Sequence, residues 1–257
     1  MFKSGISVLM MILIIIDITS CMRNSNHLST SKAKEVNLTK TTNNSIEIEK
    51  ISKQKASETT LAPYPTSITV VVNTHYYMPE NYEPKDLVYP DVPFLFKEKI
   101  EKRKMRREAA IALEKMFAAA KKDGIYLSGV SAYRSYNTQK ALFNDYVQTD
   151  GFEKAKSYSA IPGASEHQTG LAIDVSGSSG KCAAQSCFAK TKEAAWLKKN
   201  SAKYGYIIRY PKGKEFITGY QYEPWHIRYV GKISKAIKSQ GITLEEYSHV
   251  YPVTKNK

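Results

Sequence analysis

Apolar residues recur along the chain at two spacings, one typical of helices and the other typical of strands. The helical spacing predicts helices over residues 96–123, 138–147, 191–204 and 232–240, with Asn137 as the N-cap of the second and Gly124 ending the first. Alternating or β-branched runs predict strands over residues 125–131, 171–175, 206–210 and 226–230, and a first strand or an entry segment over 70–73. Strands and helices mix without a regular βαβ repeat, so the sequence predicts an α+β domain.

The alternation also predicts which side chains face the core. In the strand over 171–175, Leu171, Ile173 and Val175 share one face, and Asp174 lies on the other. In the last strand, the same rule places the aromatic and aliphatic side chains in the core and turns His226 and Arg228 outward to a cleft. The core-facing set there is Trp225, Ile227 and Tyr229.

The first twenty residues have the pattern of a secretory signal peptide. Lys3 precedes an apolar run over residues 6–16, which is too short to anchor the chain across a bilayer. The segment ends in Ile18-Thr19-Ser20-Cys21, which resembles the lipobox of bacterial lipoproteins. We therefore expect lipidation at Cys21 and an extracytoplasmic, membrane-anchored protein; the alternative is an ordinary cleaved signal and a secreted protein.

Three segments follow from composition: a signal peptide over 1–20, a flexible tether over 21–68, and one domain over 69–257. The tether is rich in Ser, Thr, Asn and Lys and cannot bury enough apolar surface to offset the entropy of ordering. The chain carries a net charge of +14. For an exported protein this charge indicates a solvated surface with weak attraction to wall polyanions, and not a nucleic-acid partner. We expect a monomer.

Cys182 and Cys187 form an even pair in a Gly- and Ser-rich loop. In an oxidising compartment they can close a small disulfide ring, and the alternative is two idle thiols. A zinc knuckle is excluded because the chain has no second cysteine pair to complete it.

Candidate chemistry is concentrated in two segments, Ser165-Glu-His-Gln-Thr-Gly-Leu-Ala-Ile-Asp174 and Glu223-Pro-Trp-His226. Together they supply two imidazoles, one carboxylate that can join them, and a second carboxylate beside the last imidazole. Three protein ligands with an open fourth position, next to a spare Glu, are the parts of a hydrolytic zinc site. The same ligand types can hold other divalent metals, and a single His in a turn is more often an ordinary polar group.

These segments, with Ser128-Gly-Val-Ser-Ala-Tyr-Arg134-Ser, closely resemble the VanY-type D-alanyl-D-alanine carboxypeptidases, which share a superfamily with lysostaphin-like peptidases and the hedgehog domain. The resemblance runs from about Val71 to about Gly241. It implies a small, mainly antiparallel central sheet flanked by helices, with Zn²⁺ in a cleft on the sheet. The implied zinc ligands are His167, Asp174 and His226. The implied catalytic residues are Glu223, as general base, and Arg134; the implied substrate-binding residues are Gln139, Ser165 and Tyr210.

The resemblance therefore implies a zinc-dependent carboxypeptidase that removes the C-terminal D-alanine from peptidoglycan stem peptides, with D,D-carboxypeptidase activity favoured. One alternative is an L,D-carboxypeptidase acting on tetrapeptide stems. Another is a non-catalytic, zinc-containing module that binds the cell wall. Glu223 distinguishes the enzyme from the binding module, because a binding module has no need of a base at that position.

Overall fold

The computed structural model describes residues 60–250, so the predicted signal peptide, Cys21 and most of the predicted tether lie outside the described residues. Within this range the strands are β1 (Thr60–Leu61), β2 (Tyr76–Tyr77), β3 (Leu87–Val88), β4 (Met105–Arg106), β5 (Leu127–Ser131), β6 (Ala172–Gly177), β7 (Tyr206–Ile208) and β8 (His226–Tyr229). The helices are α1 (Arg107–Lys122), α2 (Tyr136–Asp150), α3 (Phe152–Tyr158), α4 (Lys192–Asn200), α5 (Glu215–Thr218), α6 (Ser234–Gln240) and α7 (Leu244–Tyr247).

A four-stranded sheet with the order β5-β6-β8-β7 forms the centre, and each neighbouring pair is antiparallel. Two small ladders lie outside it: β1 pairs with β2 in parallel, and β3 pairs with β4 antiparallel. The mixture of a small antiparallel sheet with flanking helices confirms the predicted α+β class.

The main core lies between one face of this sheet and α1. Leu171, Ile173 and Val175 are fully buried there, as the alternation in the sequence predicts. The helix contributes buried apolar side chains at helical spacing: Leu113, Met116, Phe117 and Ala120. Asp174 therefore points to the opposite face of β6, away from this core.

The helix predicted from residue 96 begins only at Arg107, so the first part of that prediction was wrong. The preceding residues form a short 3₁₀ turn (Glu101–Arg103) and then β4. Their carbonyl groups bond elsewhere, because Ala132 N–H donates to Lys102 O and Tyr133 N–H donates to Lys104 O. Ile100, expected on the apolar face, is 45% exposed.

The predicted strand over 70–73 is also absent from the structure, although Val70, Val71 and Val72 are buried. The carbonyls of Val70 and Val72 accept from arginine side chains, and Val70 N–H donates to Ser67 O, so no strand ladder forms. Arg228 Nη2 donates to Val70 O at 2.8 Å, and Arg209 Nη2 donates to Val72 O at 3.4 Å. Residues 70–72 therefore have the apolar sequence pattern of a buried strand but do not form a ladder of hydrogen bonds with another strand.

The folded region begins earlier than the predicted boundary at 69. Thr60 and Leu61 pair with Tyr76 and Tyr77, and Ala62 is only 4% exposed. Residues 60–68 are therefore part of the domain and not of the tether. No helix within residues 60–250 is long and apolar enough to cross a membrane.

Smaller differences concern element ends. Ser135, and not Asn137, caps α2, since its hydroxyl oxygen accepts from Thr138 N–H. The predicted helix over 191–204 divides into α4 and a 3₁₀ turn (Ser201–Tyr204). Cys182 and Cys187 are joined by a disulfide bond, as the sequence suggested.

Candidate active site

Strand pairing brings Asp174 and His226 together. The antiparallel register of β6 and β8 places the two residues directly opposite each other on the face away from the main core. Asp174 Oδ1 lies 3.0 Å from His226 Nδ1. His167 comes from the 3₁₀ turn Glu166–Thr169 just before β6, and its Nε2 lies 3.3 Å from Asp174 Oδ2.

These three residues form a compact cluster of metal-ligating atoms. One ligand atom from each of His167, Asp174 and His226 lies within 4.8 Å of the other two, and all three residues are buried. The two imidazole rings are 5.0 Å apart and nearly perpendicular. Two ring nitrogens and a carboxylate oxygen at these separations fit a single divalent cation such as Zn²⁺.

Each imidazole is oriented by a bond from its other nitrogen. His167 Nδ1–H donates to Ala132 O at 2.6 Å, which leaves Nε2 free to bind a metal. His226 Nε2–H donates to Glu166 Oε2 at 3.4 Å, which leaves Nδ1 facing Asp174. Such bonds fix the tautomer and the ring plane, so the donor set is preorganised.

Gly170 allows the turn carrying His167 to join β6. Its φ of +67° is the left-handed conformation, and a Cβ there would approach Leu87 Cδ2 to 3.0 Å and Arg106 Cγ to 3.1 Å. Gly170 N–H donates to His167 O, closing the turn. The glycine is thus required both by the backbone angle and by the close packing.

The electrostatics of the cluster favour a cation. Burial would raise the pKa of the Asp174 carboxyl, but the neighbouring imidazoles of His167 and His226 hold it below its usual range. Burial would lower the pKa of His226, but the carboxylates of Asp174 and Glu166 raise it to about 9. The carboxylate of Asp174, which lies between the two imidazoles, will also attract a dication bound among these side chains.

Behind His226 lies a buried network of charged groups that sequence reasoning missed. Glu166 Oε1 accepts from Arg209 Nε at 2.6 Å and from Arg228 Nη1 at 2.5 Å. Arg209 also forms a bidentate pair with Glu245, which in turn accepts from Asn73 Nδ2. The network holds two carboxylates and two guanidinium groups, so its formal charges balance.

Arg228 does not face the cleft, contrary to the prediction. It lies on the same face of β8 as His226, but its side chain is fully buried. It is covered because the irregular segment around Val70 packs over it and accepts its hydrogen bonds. For Glu166, burial would raise the carboxyl pKa, and the two arginines outweigh burial and hold the pKa well below its usual range.

Glu223 lies at the edge of the ligand cluster. Its Oε2 is 3.8 Å from His226 Nδ1, and its backbone N–H donates to Tyr210 O. Burial raises the pKa of its carboxyl to about 7, with the charges of Asp174 and Glu166 adding to burial and the His226 imidazolium opposing it. A carboxyl with a pKa near neutrality, beside a metal-binding cluster, suits proton transfer in both directions.

The cluster forms the floor of a cleft of about 740 Å³. Arg134, Ser165, Tyr210 and Glu223 line it together with the three candidate ligands. Tyr210 stacks on the His226 ring at 4.9 Å. The cleft thus brings together nearly all the site residues predicted from the sequence.

Gln139 has a different position from the others. It is buried behind Arg134, where its Oε1 accepts from Arg134 Nη1 at 2.7 Å and its Nε2 donates to Ala160 O at 2.7 Å. Arg134 Nη2 also donates to Ser131 Oγ. Gln139 therefore orients the guanidinium group that lines the cleft.

The missed residues carried only weak signals in the sequence. Glu166 stands directly before His167 in the motif, but its contact with His226 depends on the pairing of β6 with β8. Arg228 lies in β8 and Arg209 directly follows β7, and an unpaired charge at either position would be costly, which points to buried partners.

Comparison with known proteins agrees with this geometry. The model of the VanY D-alanyl-D-alanine carboxypeptidase family matches residues 102–232. "Putative carboxypeptidase YodJ" of Bacillus subtilis (strain 168) is 54% identical over 184 residues, which cover 71% of this chain and 67% of that protein.

Two solved structures are informative. The LdcB LD-carboxypeptidase is 53% identical, with a TM-score of 0.70, over 74% of this chain and 89% of that chain. A mutant of the vancomycin resistance D,D-pentapeptidase VanY, solved in complex with Zn(II), is 30% identical, with a TM-score of 0.56, over 70% of this chain and 98% of that chain. The first comes from an L,D enzyme and the second from a D,D enzyme.

The donor set, the cleft and these similarities agree on a zinc-dependent carboxypeptidase. The chain belongs to the VanY family of D-alanyl-D-alanine carboxypeptidases.

Proposed function

We propose that this protein removes the C-terminal D-alanine from peptidoglycan stem peptides, with His167, Asp174 and His226 as zinc ligands. One observation carries the proposal: the three ligand atoms lie within 4.8 Å of one another on the floor of a cleft that also contains Glu223 and Arg134. All the residues that the proposal needs come from one chain, so a monomer is sufficient.

Each side chain has a distinct role in the proposed reaction. The three ligands would hold a Zn²⁺ ion, which when bound would polarise the scissile carbonyl and activate a water molecule. Glu223 accepts a proton from the attacking water and delivers it to the amine of the departing D-alanine, as the peptide C–N bond breaks. General acid–base catalysis of this kind contributes roughly 10²–10⁴-fold.

Arg134 is the candidate recognition group for the terminal carboxylate of the peptide. Its planar guanidinium is anchored by Gln139 and Ser131, and it lines the cleft that contains the metal ligands. A guanidinium held in this way can bind a carboxylate through two parallel hydrogen bonds. A carboxypeptidase needs such a group to select the end of a chain over its middle.

For the peptide length, we propose that the tetrapeptide, an L,D-substrate, is preferred over the pentapeptide. The support is the higher similarity to the LdcB LD-carboxypeptidase, 53% identical, than to the D,D-pentapeptidase VanY, 30% identical. The motifs themselves do not separate the two activities, and D,D-carboxypeptidase activity, which the family resemblance slightly favours, is the second candidate.

Release of D-alanine from synthetic tetrapeptide and pentapeptide stems tests both the carboxypeptidase activity and the preferred peptide length. We expect release from both peptides to be measurable and kcat/KM to be higher for the tetrapeptide. A higher kcat/KM for the pentapeptide reverses the length assignment alone. Absence of release from either peptide by the zinc-loaded protein contradicts the proposed function.

We further propose that the protein acts outside the cytoplasm, attached to the membrane through a lipid on Cys21. The support is the signal-like segment and the lipobox-like sequence before Cys21. Substituting Cys21→Ser in the full chain should move the protein from the membrane fraction to the soluble fraction. An unchanged membrane association would contradict the lipid anchor.

A further inference from the structure

The loop after β6 contributes one wall of the cleft. The disulfide bond between Cys182 and Cys187 closes a ring in this loop, and three residues inside the ring, Ala184, Gln185 and Ser186, line the same cleft as His167 and Glu223. We call residues 182–187 the disulfide loop. The assigned roles in metal binding, proton transfer and carboxylate recognition do not use it.

The disulfide loop is held in a defined shape. Cys182 packs against the main core, and Phe188, just after the ring, is fully buried. Gln185 N–H donates to Cys182 O, and Phe188 N–H donates to Gln185 O. Cys182 and Ala184 have φ values of +61° and +51°, a conformation that non-glycine residues rarely adopt unless the surroundings enforce it. The cross-link and the buried anchors provide that enforcement.

The loop lies at the mouth of the cleft and the metal ligands lie at its floor. Ala184, Gln185 and Ser186 are exposed, whereas His167 and His226 are buried. A peptide whose carbonyl reaches the ligands can therefore extend outward along the wall that the loop forms. The amide of Gln185 offers both a donor and an acceptor, which matches the peptide groups of such a substrate.

We propose that the disulfide loop binds the part of the peptidoglycan peptide remote from the scissile bond, with Gln185 as a substrate-contacting, specificity-determining residue. The inference rests on the proposed function and adds a distal subsite to it. The disulfide holds the backbone of this subsite in the binding shape before the substrate arrives, so less ordering is needed on binding. The loop then contributes affinity for long peptides and none for short ones.

A direct measurement of peptide binding tests the distal subsite without depending on catalytic turnover. The full chain is loaded with Zn²⁺ and carries Glu223→Gln, so that bound peptide is not consumed. Titration calorimetry then gives Kd for a tetrapeptide stem and for an N-blocked dipeptide ending in D-alanine. The variants added to this background are Gln185→Ala, the double change Cys182→Ser with Cys187→Ser, and Gln240→Ala as a matched control outside the cleft.

Gln185→Ala should weaken tetrapeptide binding roughly 2- to 10-fold, the equivalent of one hydrogen bond, and leave dipeptide binding and the melting temperature unchanged. The double cysteine variant should weaken tetrapeptide binding at least as much. A phosphine reductant should reproduce that loss in the parent protein and have no effect on the double variant. Gln240→Ala should match the parent throughout.

Two results would overturn the inference. Tetrapeptide binding that is insensitive to Gln185→Ala and to reduction of the disulfide would exclude a distal subsite at the loop. Equal weakening for both ligands would show that the loop affects the part of the site that both ligands share, and not a distal subsite. If the parent binds neither ligand, the proposed function itself fails, which is a distinguishable outcome.

Discussion

Glu223 and Glu166 both lie near the His226 imidazole, and their surroundings give them different roles. Burial raises the pKa of the Glu223 carboxyl to about 7, so this group can take up and release a proton near neutrality. Glu166 is bound by Arg209 and Arg228 and stays ionised. It is therefore a positioning residue for His226, whereas Glu223 has the properties of a general base.

Replacing Glu223 with Gln should abolish most of the turnover and keep the metal. The amide cannot accept the proton of the attacking water, so kcat for D-alanine release should fall roughly 10²–10⁴-fold. Zinc content, measured by elemental analysis, should remain at the parent level because the three ligands are unchanged.

The matched control for this variant is Glu98→Gln, an exposed carboxylate outside the cleft, which should leave kcat unchanged. If Glu223→Gln retained full kcat, the general-base role would be wrong. A non-catalytic, zinc-containing module would then be favoured only if the parent protein also released no D-alanine.

Glu166→Gln should destabilise the protein as a whole. The change removes one of the two carboxylates that balance two fully buried guanidinium groups, and breaking a buried ion pair from one side costs about 3–5 kcal/mol. Urea denaturation should show a lower midpoint, and zinc affinity should fall because His226 loses its orienting partner. An unchanged midpoint with unchanged zinc affinity would contradict the positioning role.

At this scale the sequence predicted the residues that carry the chemistry better than those that support them. His167, Asp174, His226 and Glu223 belong to short motifs with a recognisable order, and the structure brings them together. The side chains that orient these residues are distant from them in sequence, so no local sequence pattern predicts those contacts. Arg228 shows the limit: alternation gave its face correctly, but the irregular segment that buries it could not be foreseen.

At the scale of elements, the turn between the 3₁₀ segment of His167 and β6 is the most sensitive point. Gly170 adopts a left-handed φ of +67°, and a Cβ added there would crowd Leu87 and Arg106. Gly241 provides a matched control, since it has nearly the same φ of +65° and nothing within 4 Å of an added Cβ. The two glycines thus separate backbone strain from steric crowding.

Gly170→Ala should cost more stability than Gly241→Ala. Both changes introduce the left-handed penalty of roughly 1 kcal/mol, and only the first also forces Leu87 or Arg106 to move. Because the displaced turn carries His167, zinc affinity should fall in Gly170→Ala alone. Urea denaturation and zinc titration of the two variants check this; equal effects on both measurements would contradict it.

The elements that the sequence predicted correctly are those whose apolar pattern matches their packing. Residues 171–175 alternate because one face meets the core and the other meets the cleft. Residues 70–73 have a strand-like composition, but their carbonyls bind arginine side chains and no ladder forms. Residues 96–106 have helical spacing but form no α-helix, because the carbonyls of Lys102 and Lys104 accept hydrogen bonds from the loop before α2. Such long-range hydrogen bonds do not alter the spacing of apolar residues, so that spacing cannot predict them.

At the scale of the whole molecule, the buried network connects the metal site to the edges of the domain. Asn73 lies in the segment that enters the fold, Arg209 follows β7 and Glu245 lies in α7, near the end of the described chain. These residues connect through Glu166 to His226. The geometry of the site is therefore coupled to the packing of segments that are far from the cleft.

The central claim is that His167, Asp174 and His226 hold one zinc ion on which D-alanine release depends. The most direct measurement is the zinc content of the purified full chain together with its rate of D-alanine release from the tetrapeptide stem, before chelation, after chelation and after titration with Zn²⁺. The account predicts one zinc per chain, loss of release when the zinc is removed, and recovery that is complete at one equivalent. Release that persists at full rate in protein shown to contain no metal would contradict it.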